Sequence, residues 1–138
     1  MESFTFSDLK EGMSASFSKL INHGDVMKFR DLTLDENPLH LDKTYASSTN
    51  FKKPVVYGFL LGSYISRLVG MYLPGKYSLI ISVNLDFKHP CFEGDVVTIR
   101  GEITKKMQFD KIIILETTIN NQNNEIISTG KLMVKLLK

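Results

Sequence analysis

Apolar and polar residues alternate with a period of two along four segments in the second half of the chain. These segments are rich in isoleucine, valine and threonine, and they cover residues 77–87, 95–105, 111–120 and 125–137. Such a pattern is typical of β-strands that bury one face. Turn-forming residues separate the segments, for example Glu93-Gly94-Asp95 and the asparagine-rich residues 121–124. Because short turns between consecutive strands favour antiparallel pairing, the pattern predicts an antiparallel meander.

A helical pattern precedes these strands and runs from Gly58 to about Tyr72, before Leu73-Pro74-Gly75. Small residues recur in it at every fourth position: Gly58, Gly62, Ser66 and Gly70. Apolar residues fill most other positions, and Arg67 is the only charge. A helix that is apolar nearly all round is typically buried. The stripe of small side chains would let another backbone or a thin ligand approach the helix axis.

The first part of the chain, through about Met27, mixes short apolar runs with glycines and suggests a loop and an edge strand. Asp25 suits the N-cap of a short helix that stops near Pro38, and residues 42–46 suit a second short helix. Together the elements predict an α+β fold in which an antiparallel sheet wraps around one long central helix.

Composition adds expectations about size and location. The 138 residues fit one domain, 1–138, and 43% apolar with 23% charged residues is ordinary for a globular protein. Cys91 is the single cysteine, so no intramolecular disulfide can form. We see neither a signal-peptide pattern nor an apolar run long enough for a bilayer, so we expect a cytoplasmic protein without a membrane partner. The net charge of +2 comes from scattered lysines, and a nucleic-acid partner is not expected.

Two of the three histidines lack partners for chemistry. His23 lies in a predicted loop, and His89 lies beside Pro90 with only Cys91 near it in sequence. Two ligands two positions apart are a poor zinc signal, so we expect no metal site.

The third histidine, His40, lies close to carboxylates around a proline turn, in Asp35-Glu36-Asn37-Pro38-Leu39-His40. An imidazole with a carboxylate in reach can serve as a general base. The same residues would equally suit a turn in which Asp35 or Asn37 caps a helix and His40 faces solvent. The motif alone leaves both interpretations open.

A longer set of residues resembles the MaoC-like, or hydratase 2, family. Its first part is Asp35-x-Asn37-Pro38-Leu39-His40-x-Asp42, followed by Ala46, Phe51, Pro54, Gly58 and Leu73-Pro74-Gly75. Its second part is Phe87-Lys88-His89-Pro90-Cys91-Phe92-Glu93-Gly94-Asp95, similar to the family's F-x-x-P-x-x-x-G-D segment. The resemblance spans roughly residues 25 to 100, in order, and the family includes R-specific enoyl-CoA hydratases and 3-hydroxyacyl dehydratases.

The resemblance implies a hot-dog fold, usually a homodimer or a double hot dog, and an acyl thioester substrate carried on coenzyme A or acyl carrier protein. It implies no cofactor. Asp35 and His40 would activate a water molecule, and the backbone N–H of Gly58 would polarise the thioester carbonyl. Ser66 would support the catalytic pair. The predicted substrate-binding residues are Asn37, Tyr57, Phe59 and Gly62, although Asn37 also suits a turn stabiliser.

One residue departs from the family pattern. Many members have His-Gly where this chain has Tyr57-Gly58. Two alternatives to a hydratase or dehydratase stay open. A hot-dog thioesterase is one, although the Asp35 and His40 pair argues against it. A non-catalytic acyl-thioester-binding subunit is the other, and Tyr57 is the feature that favours it.

Overall fold

The computed structural model describes residues 1–138 as an α+β structure with a five-stranded sheet and four helices. The elements in chain order are β1 (Ser14–Leu20), α1 (His23–Thr33), α2 (Pro38–Leu41), α3 (Lys43–Ser48), α4 (Gly58–Met71), β2 (Ser78–Phe87), β3 (Val96–Met107), β4 (Ile112–Asn120) and β5 (Ile126–Leu136). The four strands predicted from the alternating pattern are all present, within two residues of the predicted ends. No helix is long and apolar enough to cross a membrane.

All neighbouring strands are antiparallel, but their order is β1-β3-β4-β5-β2. The strands β3, β4 and β5 therefore form the expected meander. The expectation that β2 pairs with β3 as part of it is wrong, because β2 pairs with β5. Residues 88–95 form a longer connection: its first part is bound to distant residues, since the Val56 N–H donates to the carbonyl oxygen of Cys91 at 2.8 Å and the Lys88 N–H to that of Ile127, and the expected turn at Glu93-Gly94 follows it. This connection carries the chain to β3 and leaves β2 at the sheet edge, paired with β5.

The central helix α4 packs against β1, β2 and β3. Its buried side chains are Leu60, Leu61, Ile65, Leu68 and Val69, and burying each contributes about 1.5–3 kcal/mol. The expectation of a helix buried all round is wrong, because the sheet covers only one side of it. On the other side Phe59 is 78% exposed and Met71 is 43% exposed.

The first helix begins earlier than expected. Asn22 is its N-cap and accepts a hydrogen bond from the Asp25 N–H, while the Asp25 carboxylate accepts one from the Asn22 N–H. Asp25 therefore occupies the third helical position of a capping box and is not the cap. The helix α2 was not predicted, whereas α3 lies where the second short helix was expected, with Asp42 as its N-cap.

Gly75 is a position where a side chain should be costly. Its φ is +88°, and a Cβ there would lie 2.6 Å from the backbone carbonyl carbon of Glu2. Gly94 has a similar φ of +93° but open space around the same position. We expect Gly75→Ala to lower the free energy of unfolding by about 3 kcal/mol or more, and Gly94→Ala by about 1–2 kcal/mol. Urea unfolding of both variants measures this, and equal losses would contradict the proposed clash.

Candidate active site

A cavity of about 290 Å³ lies where the ends of α1, α2 and α4 meet. Its lining residues are Phe29, Thr33, Asp35, His40, Tyr57, Gly58 and Phe59. We call it the catalytic cavity. It contains most of the residues that the sequence singled out.

Asp35 reaches this cavity from the segment that follows α1. The helix ends at Leu34, whose φ of 57° is left-handed and whose N–H donates to the Arg30 carbonyl at 2.7 Å. The Asp35 carboxylate then accepts a hydrogen bond from the Asn37 N–H on one oxygen, Oδ1, at 3.0 Å. Its other oxygen has no partner within the chain, so it is free to accept a hydrogen bond from a water or a ligand.

Asn37 has a structural task. It is the N-cap of α2, where its side-chain oxygen accepts a hydrogen bond from the Leu39 N–H at 3.0 Å, and Pro38 occupies the first helical turn. The residue does not line the catalytic cavity. Its predicted contact with substrate is therefore untested, whereas its turn-stabilising role is visible.

His40 is held by one ring nitrogen. Its Nδ1 lies 2.7 Å from the backbone carbonyl oxygen of Val55. A carbonyl oxygen can only accept, so Nδ1 carries the proton and Nε2 of the neutral ring is an acceptor. The imidazole also packs against the ring of Tyr57, with 4.1 Å between centroids. The fixed ring thus offers an unprotonated nitrogen for acid–base chemistry.

Gly58 is the first residue of α4, and its backbone N–H has no acceptor within the chain. The N-cap residue, Tyr57, makes no side-chain cap hydrogen bond. Free N–H groups at a helix N-terminus favour developing negative charge on a ligand. The backbone here lies close to Phe87, since a Cβ on Gly58 would lie 2.9 Å from the far end of its ring, and this half-exposed side chain would have to shift to admit one. The geometry suits an oxyanion donor.

Gly62 and Ser66 lie further along α4, and neither lines the catalytic cavity. Ser66 is exposed and its hydroxyl makes no hydrogen bond within the chain, so a single chain does not bring it to Asp35 and His40. Sequence reasoning missed Phe29 and Thr33, which line the cavity from one face of α1. The two residues are four positions apart, which places them on the same face of a helix, and this spacing was the available sequence signal.

A second cavity, of about 310 Å³, lies next to the first and shares His40 and Gly58 with it. Mostly apolar residues line it, among them Phe51, Phe87 and Cys91, and we call it the apolar cavity. Burial raises the pKa of the Cys91 thiol to about 12, so it is a neutral, weakly nucleophilic group. No cluster of three or more histidine, cysteine, aspartate or glutamate residues could hold a metal ion.

Comparison with known proteins decides the family. The model of the MaoC like domain matches residues 7–125. The chain belongs to this family. It is 41% identical to an (R)-specific enoyl-CoA hydratase of Aeromonas caviae, over 93% of this chain and 96% of that protein. It is 31% identical to a 3-hydroxybutyryl-CoA dehydratase of Methylorubrum extorquens, over 96% of this chain and 84% of that protein.

Solved structures confirm the hot-dog fold. The (R)-hydratase from Aeromonas caviae that is involved in PHA biosynthesis superposes with a TM-score of 0.89 at 41% identity, covering 93% of this chain and 97% of that one. An R-hydratase from Pseudomonas aeruginosa in the unliganded form superposes with a TM-score of 0.90 at 27% identity, covering 97% and 86%. The family and the fold expected from the sequence are thereby confirmed.

Proposed function

We propose that this MaoC-like chain is a hydro-lyase that interconverts trans-2-enoyl and (R)-3-hydroxyacyl thioesters. One observation carries the proposal: Asp35, His40 and Gly58 line the same cavity, and the Gly58 N–H has no acceptor within the chain. A carboxylate and an unprotonated imidazole nitrogen supply acid–base chemistry, and the N–H supplies an oxyanion donor. The enoyl-CoA hydratase and dehydratase relatives support the same reaction class.

The reaction needs these three groups in one place. Asp35 and Nε2 of His40 bind a water molecule, and as its oxygen bonds to C3 they take up its proton. The electron pair of the C2–C3 double bond moves towards the thioester carbonyl, whose oxygen accepts a hydrogen bond from the Gly58 N–H. The same pair of residues then returns a proton to C2. Losing an oxyanion donor typically costs about 2.7–4 kcal/mol of transition-state stabilisation, so Gly58 carries a large share.

The positions of these groups also orient the substrate. With the carbonyl at Gly58, C2 and C3 must lie in the catalytic cavity beside Asp35 and His40. The sulfur is on the opposite side of the carbonyl, so the proposal places the pantetheine arm in the apolar cavity, whose lining includes Phe51 and Phe87. Coenzyme A and acyl carrier protein share this arm, so both carriers fit the proposal.

We further propose that a second copy of the chain covers the exposed face of α4 and the edge strand β2. On β2 the apolar residues Leu79, Ile81 and Val83 are 46–50% exposed, and Phe59 on α4 is 78% exposed. Exposed apolar surface beside an unpaired strand edge favours association. Gly62 and Ser66 follow Phe59 on α4 at spacings of three and seven residues, so a homodimer would place them next to the partner as well. Analytical ultracentrifugation should give twice the chain mass, and a monomer at micromolar concentration would contradict this part.

The experiment for the proposed function follows the conjugated enoyl-thioester absorbance during incubation with trans-2-enoyl-CoA substrates of increasing chain length. We expect loss of the absorbance without release of free thiol. Thiol release would instead indicate a thioesterase, and saturable binding without turnover a non-catalytic subunit. A cytoplasmic location stays a prediction from the sequence.

A further inference from the structure

The side chain of Tyr57 contacts both residues of the proposed catalytic pair. Its hydroxyl donates a hydrogen bond to the backbone carbonyl oxygen of Asp35 at 2.6 Å. Its ring packs on the imidazole of His40, with centroids 4.1 Å apart and planes inclined by 34°. The sequence predicted Tyr57 as a substrate-binding residue.

The chain around Asp35 has little else to hold it in place. Within residues 34–37 the remaining hydrogen bonds are local, for instance from the Asp35 N–H to the Thr33 hydroxyl and from the Asn37 N–H to the Asp35 carboxylate. Asp35, Glu36 and Asn37 are all exposed. The bond from Tyr57 is the one hydrogen bond that ties this segment to a distant part of the chain.

Tyr57 is itself rigidly held. It is only 2% exposed, its ring lies 5.0 Å from that of Phe29, and its carbonyl oxygen accepts the Leu61 N–H at the start of α4. Two residues earlier, the Val55 carbonyl oxygen holds Nδ1 of His40. Residues 55–57 therefore form a common support that fixes the position of Asp35 relative to His40.

The hydroxyl stays a donor under ordinary conditions. Burial, and then the negative charge of Asp35, raise the pKa of Tyr57, so the phenol keeps its proton. That proton is committed to the Asp35 carbonyl and is not offered to a ligand. A side chain without the hydroxyl could not make this hydrogen bond to Asp35.

We infer that Tyr57 is a positioning residue, which holds Asp35 against His40 and thereby sets the turnover rate, and that it does not serve as a substrate-binding residue. This inference rests on the proposed hydro-lyase function. Small displacements matter for such a pair, because a misplacement of about 1 Å can cost about 10²-fold in rate.

The first test compares Tyr57→Phe with wild type and with Tyr64→Phe, on the full chain. Tyr64 lies on α4 outside the catalytic cavity, and its hydroxyl makes no hydrogen bond within the chain. We expect Tyr57→Phe to lower kcat for enoyl-CoA hydration about tenfold with KM within about twofold, because orientation and not binding is lost. Tyr64→Phe should leave both constants within twofold.

The second test places Tyr57→Phe in an Asp35→Asn background. If the hydroxyl acts through Asp35, its removal should cost less than about twofold once the carboxylate is gone. Thermal unfolding of each variant, with assays run well below the midpoints, keeps loss of folded protein out of the comparison. A role in general stability would lower activity by the same factor in both backgrounds.

The outcomes separate the inference from the function on which it rests. An active wild-type enzyme with an unimpaired Tyr57→Phe variant, or equal losses in both backgrounds, would overturn the inference alone. A rise in KM with kcat unchanged would also overturn it, in favour of substrate binding. A wild-type chain that hydrates no enoyl-CoA would contradict the proposed function and the inference together.

Discussion

Asp35→Asn is expected to lower kcat for hydration of an enoyl-CoA by about 10²–10⁴-fold while the protein stays folded. The substitution removes the negative charge that, in the proposed mechanism, takes a proton from water. It keeps a side-chain oxygen at Oδ1, so the hydrogen bond from the Asn37 N–H, seen at 3.0 Å, can persist. The exposed position of Asp35 means that little packing is lost. Initial rates over a range of enoyl-CoA concentrations measure the effect.

The matched control is Glu36→Gln, the same change of charge one residue further along. Glu36 is exposed, makes no hydrogen bond within the chain and does not line the catalytic cavity. The kcat of Glu36→Gln should stay within twofold of wild type. Similar losses in both variants would mean that a general charge effect, and not the Asp35 carboxylate, governs the rate.

His40→Asn is expected to lower kcat by a similar factor of about 10²–10⁴. An asparagine amide can still donate to the Val55 carbonyl oxygen, as Nδ1 of His40 does at 2.7 Å. It has nothing in place of Nε2, the nitrogen that the structure leaves free for the water. KM should change by no more than a few-fold, because acid–base assistance acts in the transition state.

His23→Asn provides the control for this second substitution. His23 is exposed at the start of α1, where its Nδ1 lies 2.9 Å from the Glu93 carboxylate, a contact that asparagine can also make. We expect the kcat of His23→Asn to equal that of wild type. A fully active His40→Asn variant would remove the histidine from the mechanism and leave Asp35 as the single base.

The sequence predicted most of the fold because the decisive signals are local. Alternation in β3 places Val97, Ile99 and Ile103 on one buried face, and the segment Leu73-Pro74-Gly75 follows directly on α4. The pairing of β2 with β5 was not predictable in this way. It depends on the path of residues 88–95, which is fixed by contacts with Val56 and Ile127 that are distant in sequence.

In the candidate site, too, the features with a local sequence signal were predicted, and those that depend on distant contacts were not. The Asp35–His40 motif alone left two interpretations open; the resemblance to the MaoC-like family singled out Asp35, His40 and Gly58, and the structure places all three at one cavity. The support given by Tyr57 could not be predicted, since its hydroxyl meets a backbone oxygen 22 residues earlier. Every residue has a backbone carbonyl oxygen, so the sequence does not indicate which of them accepts a side-chain hydrogen bond. The exposed position of Ser66 was missed because the sequence does not say which side of α4 the sheet covers.

The most direct test of the central claim is the configuration of the product formed from a trans-2-enoyl-CoA by the wild-type chain. Chiral chromatography of the 3-hydroxyacyl product, after hydrolysis of the thioester, measures it. The proposed hydro-lyase should give the (R) enantiomer in large excess, and Asp35→Asn should form almost none. Predominantly (S) product, a racemate, or no hydration with any chain length would contradict the proposed function.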